Sequence, residues 1–223
     1  MLLPTTSLEP VGTIYWSDTV WNGDPDGDMT LEYEGHTWLV KGDIASAHFP
    51  HLLLRCRTTT PILPAVFSAL LGYLHTNEFP RHLYEPVPSF LTYTQIYFLA
   101  ERFDIHALKT ATVQHIDDLS RHVLTLSKPH CSHCPFFAVG ASCPDQQDEE
   151  NAAWEQEERH LNSFVHAVIC VEEHRWSAKI QKAVYDAGER LRERLVGLPA
   201  FCEFTKLFPG GMGFARAIGV GRV

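Results

Sequence analysis

Between residues 64 and 122 the chain carries two runs of apolar residues at helical spacing, on either side of a loop that ends in Pro86 and Pro88. Phe67, Leu70, Leu71 and Leu74 recur every three or four positions. So do Ile96, Leu99 and Phe103, and then Ile105, Leu108, Thr112 and Ile116. An α-helix turns once in about 3.6 residues, so this spacing lines one face with hydrocarbon that must be covered. Asp104, between Phe103 and Ile105, breaks the second run and lets its latter half fold back beside the former. None of these side chains is a nucleophile or an acid–base group. The stretch specifies a packed helical scaffold, and function is expected on its surface, in binding another protein.

A chain of 223 residues with a 45% hydrophobic fraction suits one compact domain, or one domain with a helical extension. Its core can be large enough that neither disulfides nor a metal is needed for stability. The net charge is −9 and no run of Lys and Arg is present, which excludes the basic footprint of a nucleic-acid binder. The opening MLLPTTSLEP lacks the basic and apolar regions of a secretory signal, and no apolar run is long enough to cross a bilayer. The expectation is a cytoplasmic or nuclear protein, not secreted, with no membrane partner and with its six cysteines reduced. Cys170 and Cys202 fall in apolar helical patterns and are expected in the core.

Residues 1–27 form an N-terminal segment expected to be loosely ordered, although WNGDPDGD is strong turn chemistry and Tyr15, Trp16 and Trp21 favour docking on the body. In MTLEYEGHTWLV, Leu31 and Tyr33 alternate with polar residues, as do Trp38 and Val40, with Glu34-Gly35 between them. This predicts a hairpin. GDIASAHFPHLLLRC predicts a short helix broken near Pro50, with Asp43 accepting a free first-turn amide hydrogen. RTTTPIL, β-branched and bounded by prolines, predicts a short strand. From Ser127 to Glu150 the prolines, cysteines and acids predict a long loop. Helical spacing resumes with Phe164, Ala167, Val168 and Val171, and again with Ile180, Val184, Leu191 and Leu195, after which Gly197 is placed to end the helix. PAFCEFTKLF predicts one more short helix, and the Gly-rich tail GGMGFARAIGVGRV is expected to be loosely held.

This order of elements resembles a BTB/POZ domain, in the version found in many filamentous-fungal proteins. Asp28 with Met29-Thr30-Leu31 is similar to the family's opening strand, and Trp38-Leu39-Val40-Lys41 to its second. Phe67-Ser68-Ala69-Leu70-Leu71-Gly72-Tyr73-Leu74-His75-Thr76 resembles the family's F-x-x-L-L-x-Y-L-Y-T helix. Ile96-Tyr97-Phe98-Leu99-Ala100-Glu101-Arg102-Phe103-Asp104-Ile105-His106-Ala107-Leu108-Lys109 resembles its V-Y-x-L-A-D-K-Y-x-I-x-x-L hairpin. The stretch from Phe164 to Phe208 is similar to the extension that follows the domain in fungal members. The resemblance implies an α+β fold: a BTB/POZ-like helical cluster over residues 28–124 with a small N-terminal β-sheet, a Cys/Pro-rich acidic loop over 125–151, and a C-terminal α-helical extension over 152–223. It implies a protein–protein interaction module, self-associating as a homodimer or binding a partner as an adaptor, and not an enzyme. Trp38, Phe49 and Leu52 fall where this family often pairs and are the candidate interface residues. The chain departs from the family pattern in two places. Val40 is followed directly by Lys41, where a His usually precedes the Lys, and the stretch from Arg55 to Pro64 is short. The segment that holds the family's apolar-x-Glu cullin-binding motif is missing there, so a cullin-type ligase scaffold as partner stays open.

The alternative reading rests on chemistry in the loop. Cys131 and Cys134, with Cys143 downstream and His130 or His133 beside them, present the soft and borderline ligands that zinc prefers, and Cys-x-x-Cys on a tight turn supplies two of four. That would make the chain a small metal- or thiol-dependent regulatory protein. The spacing lacks a second ligand pair and fits no standard zinc module, so the plain reading is a thiol-bearing loop with no cofactor. No G-x-S-x-G elbow or phosphate-binding Gly-rich loop is present. His75, His106 and His115 read as structural residues of helices. Arg190, Arg192 and Arg194, alternating with Glu189 and Glu193, read as a solvated helix face.

Overall fold

A computed structural model describes residues 23–33, 35–48, 64–78, 89–126, 144–174, 177–208 and 210–220. The predicted hairpin is present. Strand β1 (Met29–Tyr33) runs antiparallel to β2 (His36–Val40), in register from Met29 opposite Val40 to Tyr33 opposite His36. Gly35 takes φ 76°, a left-handed conformation that costs a residue without Cβ nothing. Leu31 and Trp38 face each other across the pair, and with Val40 they form the buried side of the sheet. Residues 23–27 are not loose but dock on β2. The Asp24 amide donates to the Leu39 carbonyl oxygen at 2.7 Å, and the Gly27 and Asp26 amides close a turn on the Asp24 carbonyl and carboxylate.

Helix α1 (Gly42–His48) follows directly. Asp43 accepts from the Ile44 amide at 2.7 Å, as its position predicts, and Asp28 reaches from the start of β1 to accept from the Gly42 amide at 2.6 Å. Two carboxylates therefore serve amides that have no partner inside the helix. The strand expected in RTTTPIL lies outside the described residues.

Helix α2 (Pro64–Thr76) departs from the one-sided stripe expected of it. Every residue from Ala65 to Tyr73 is buried, so the helix is wrapped on all faces and forms the centre of the N-terminal half. Helix α3 (Phe90–Arg102) begins at Ser89, whose side chain accepts from the Thr92 amide at 3.1 Å. It ends where predicted. Asp104 takes φ 57°, the Ile105 amide donates to the Ala100 carbonyl at 2.7 Å, and the Asp104 amide donates to the Glu101 carbonyl. These two bonds make a Schellman closure, and helix α4 (His106–Thr125) starts one residue later.

Helix α5 (Pro144–His174) starts before the expected end of the acidic loop: residues 144–150 are helical. Pro144 suits a first-turn position, where the missing amide hydrogen is not needed. Helices α6 (Ala178–Leu195), α7 (Pro199–Leu207) and α8 (Gly211–Ala217) complete the chain. The predicted stripes of α5 and α6 are buried, and Gly197 lies two residues past the end of α6. Residues 210–220 of the C-terminal tail are not loosely held. Phe214, Ala215, Ile218 and Val220 are buried, and Gly219 at φ 77° closes α8 with a second Schellman pair, Val220 to Ala215 and Gly219 to Arg216.

Among the described residues the fold is thus α+β at the coarse level: eight helices and one two-stranded sheet. The sheet packs on α2, α2 on α3, and α3 on both α4 and α5. Helix α6 fills the angle between α4 and α5, and α7 and α8 close the far side of α5. The buried hydrocarbon of all these elements forms a single cluster. The C-terminal helices are therefore part of the same core as residues 28–124.

Candidate functional site

Of the candidate interface and metal-site residues, Trp38 lies among the described ones. Trp38 is 3% exposed, its ring edge lies against Phe67 with centroids 5.3 Å apart, and its Nε1–H donates to Ser68 Oγ at 3.3 Å. It is a core residue of this chain. An indole supplies the largest apolar surface of any side chain, and here that surface seals the sheet onto α2. Phe49 and Leu52 lie outside the described residues. So do His130, Cys131, Cys134 and Cys143, and among the described residues no group of three or more His, Cys, Asp or Glu side chains could hold a metal ion. Of the two cysteines expected in the core, Cys170 is buried, and desolvation followed by the nearby Glu173 pushes its thiol up to about 12. It stays protonated and unreactive at neutral pH. Cys202 is partly exposed instead, with Sγ 3.8 Å from the Val196 carbonyl oxygen.

The feature that sequence reasoning missed is a polar seam where α4, α5 and α6 meet. Arg190 and Arg194 stand one turn apart on α6. Arg190 pairs with Asp117 of α4 at 2.6 Å and also donates to Ser120 Oγ at 3.0 Å. Arg121 takes the other oxygen of Asp117 at 2.9 Å, and Ser120 Oγ donates to the Asp117 carbonyl at 2.7 Å. Arg194 pairs at 3.2 Å with Glu157 of α5, a buried carboxylate. One turn further along α5 lies His160, fully buried, with the ring of His122 edge-on at 6.2 Å. Two of the three arginines read as a solvated face are thus inter-helix ties. Their alternation with Glu189 and Glu193 carries no sign of this, because partner choice depends on how α6 is rotated against its neighbours.

In this seam the Ser120 hydroxyl both donates and accepts, and Asp117 is shared by two guanidiniums. Such an arrangement fixes the rotation of helices; it does not activate a nucleophile. Arg194→Ala would leave Glu157 buried without its ion-pair partner. Because Arg194 is itself 36% exposed, the pair is partly screened. A loss of about 1–3 kcal/mol is expected in urea unfolding, with Arg194→Lys recovering part of it.

The histidines follow the structural reading. His106 is exposed beside Asp104 at 3.1 Å. His115 stacks flat on Tyr93, centroids 5.4 Å apart. Burial lowers the pKa of His115 against an opposing pull from Asp118, and burial alone lowers that of His166 on α5. A histidine whose folded pKa is depressed takes up a proton more readily unfolded. These two residues therefore contribute full stability above the unfolded value of about 6.5 and lose it as pH falls below it. Melting temperature is expected to drop between about pH 7.5 and pH 5.5, and less so in a His115→Gln/His166→Gln variant.

At the N-terminal corner, His75 in the last turn of α2 ties that helix to the chain leaving β2. Its Nε2 lies 3.0 Å from the Lys41 backbone nitrogen and its Nδ1 2.8 Å from the Leu71 carbonyl oxygen. The Lys41 side chain pairs with Asp24 at 3.2 Å. The Asp26 amide, and then Lys41, hold the Asp24 carboxyl below the usual range.

The surface carries large apolar side chains at Leu39, Leu124, Trp154, Val196, Leu207 and Met212. Trp154 is 63% and Leu207 81% exposed. No helix among the described residues is long and apolar enough to cross a membrane. Comparison with protein-family models, with curated proteins and with solved structures finds no match to this chain.

Proposed function

We propose that this chain is a protein–protein interaction module of BTB/POZ type, self-associating or partner-binding, with a C-terminal helical extension. The supporting observation is the joint placement of the two motif segments. The two-stranded sheet packs on the helix of residues 64–76, and that helix packs on the first arm of the hairpin of residues 90–125, bent at Asp104, in the order the resemblance implies. Ser89 caps the start of the hairpin and Asp117 fastens its second helix to Arg190 of α6, roles that suit a scaffold. Work is then done by burying surface against a partner. At ~25 cal/mol per Å² of apolar area, a modest interface reaches micromolar affinity only with well-packed anchors. On this reading the chain acts in the cytoplasm or nucleus, and a cullin-type scaffold is one partner to look for.

The test is light scattering on the purified full chain, joined to co-purification and mass spectrometry from the source cell. A dimer, or a stoichiometric protein partner, supports the proposal; a monomer that brings nothing down refutes it. The full chain must be used, since cutting after residue 126 would strip α5 and α6 from the shared core.

A further inference from the structure

The hydrogen-bond geometry at His75 settles the protonation of its ring. A carbonyl oxygen only accepts and a backbone N–H only donates. The 2.8 Å contact with the Leu71 oxygen therefore puts the hydrogen on Nδ1, and the 3.0 Å contact with the Lys41 nitrogen requires a bare Nε2. Only the neutral imidazole serves both. Protonation adds a hydrogen at Nε2 and sets two donors against each other across 3.0 Å.

We propose that His75 is an acid-sensitive latch: neutral, it fastens the corner between β2 and α1 to the end of α2, and protonated, it lets that corner go while the helical core stays folded.

The charged groups around the latch decide the sign. Lys41 and Asp24 face it as a pair 3.2 Å apart, and Asp26 and Asp43 act on Lys41 from the turn and from α1. Asp28 is engaged with the Gly42 amide, and Glu78 follows the end of α2. The charged residues of α3 are Glu101 and Arg102, adjacent and of opposite sign, and β2 carries no ionisable group other than His36. An imidazolium is attracted to Asp24 but repelled by Lys41, which already holds that carboxylate. Two donors at hydrogen-bond distance oppose each other directly at the Lys41 amide, a cost that the neutral ring does not carry. The closed corner is therefore favoured while the ring is neutral and is weakened when the ring takes up a proton. What opens is short. Trp38 and Val40 remain buried against α2, so release is confined to Lys41, the first turn of α1 and the turn at Asp24 that Lys41 holds.

The experiment is amide hydrogen exchange by NMR on the full chain at about pH 7.5 and about pH 5, as protection factors corrected for intrinsic exchange. In the wild type, Lys41 and Gly42 are expected to lose roughly tenfold in protection at the lower pH relative to Leu191 in α6, the equivalent of one hydrogen bond. His75→Gln supplies an oxygen to Lys41 and an N–H to Leu71 without titrating, and is expected to keep protection at both values. His75→Ala is expected to show the low value at both. A wild-type ratio that does not change with pH overturns the latch. So does acid loss of the same size in His75→Gln, or a uniform loss across all amides.

Discussion

Phe214→Ala is expected to lower the unfolding free energy by about 3–5 kcal/mol, as for other large-to-small changes at closed aromatic sites. The side chain is fully buried. Its ring lies 4.9 Å from that of Tyr185 and between 6.1 and 6.4 Å from those of Phe164, Phe201 and Phe204, so it touches α5, α6 and α7 at once. Gly188 on α6 makes room for it: a Cβ there would stand 2.6 Å from Phe214 Cζ and 3.1 Å from Ile218 Cγ2. Gly188→Ala should therefore destabilise by about 1–3 kcal/mol through overpacking, and Phe214→Leu should relieve part of that strain, giving a non-zero coupling in a double-mutant cycle. Urea denaturation followed by circular dichroism measures all five proteins, the wild type, the three single variants and the Gly188→Ala/Phe214→Leu double variant. If Phe214→Ala unfolds at the wild-type midpoint, α8 is not packed as described.

Trp38→Ala should cost a similar amount, about 3–5 kcal/mol, while Trp38→Phe should cost about 1–2. The phenylalanine keeps an aromatic ring against Phe67 but gives up the Nε1 donor to Ser68 Oγ. The two variants also separate a core role from an interface role. With Trp38 only 3% exposed, any loss of self-association in the alanine variant must track loss of folded protein, and the phenylalanine variant must associate like wild type. Thermal melts run beside light scattering read both quantities. An alanine variant that melts normally but is dissociated would make Trp38 an anchor on the surface and contradict its burial.

Much of the helical frame was legible because it rests on local rules. The stripes at Phe164, Ala167, Val168 and Val171, and at Ile180, Val184, Leu191 and Leu195, read directly as buried faces. The hairpin followed from alternation around Glu34-Gly35, and the break at Asp104 from one polar residue between two apolar ones. Where the reading failed, distant residues decided the matter. The tail after Phe208 has the composition of a loose end, yet a glycine on another helix opens the slot that holds Phe214. Residues 144–150 carry loop-like charge, yet they extend α5. Helix α2 shows a one-sided stripe, yet its small residues Ala65, Ser68, Ala69 and Gly72 are buried as well, because neighbours cover every side.

The candidate site divides the same way. Chemistry-bearing residues could be picked out by type, but Trp38 was picked for a surface and lies in the core, and Arg190 and Arg194 were read as solvated yet bind Asp117 and Glu157 across helix boundaries. Spacing and side-chain type by themselves determined that this polypeptide makes a short hairpin and a set of helices with faces to hide. Only the tertiary arrangement decided that both halves share one core, and which charged groups meet inside it. Periodicity is a property of neighbours along the chain, whereas burial and ion pairing are set by the rotation and approach of elements that lie tens of residues apart.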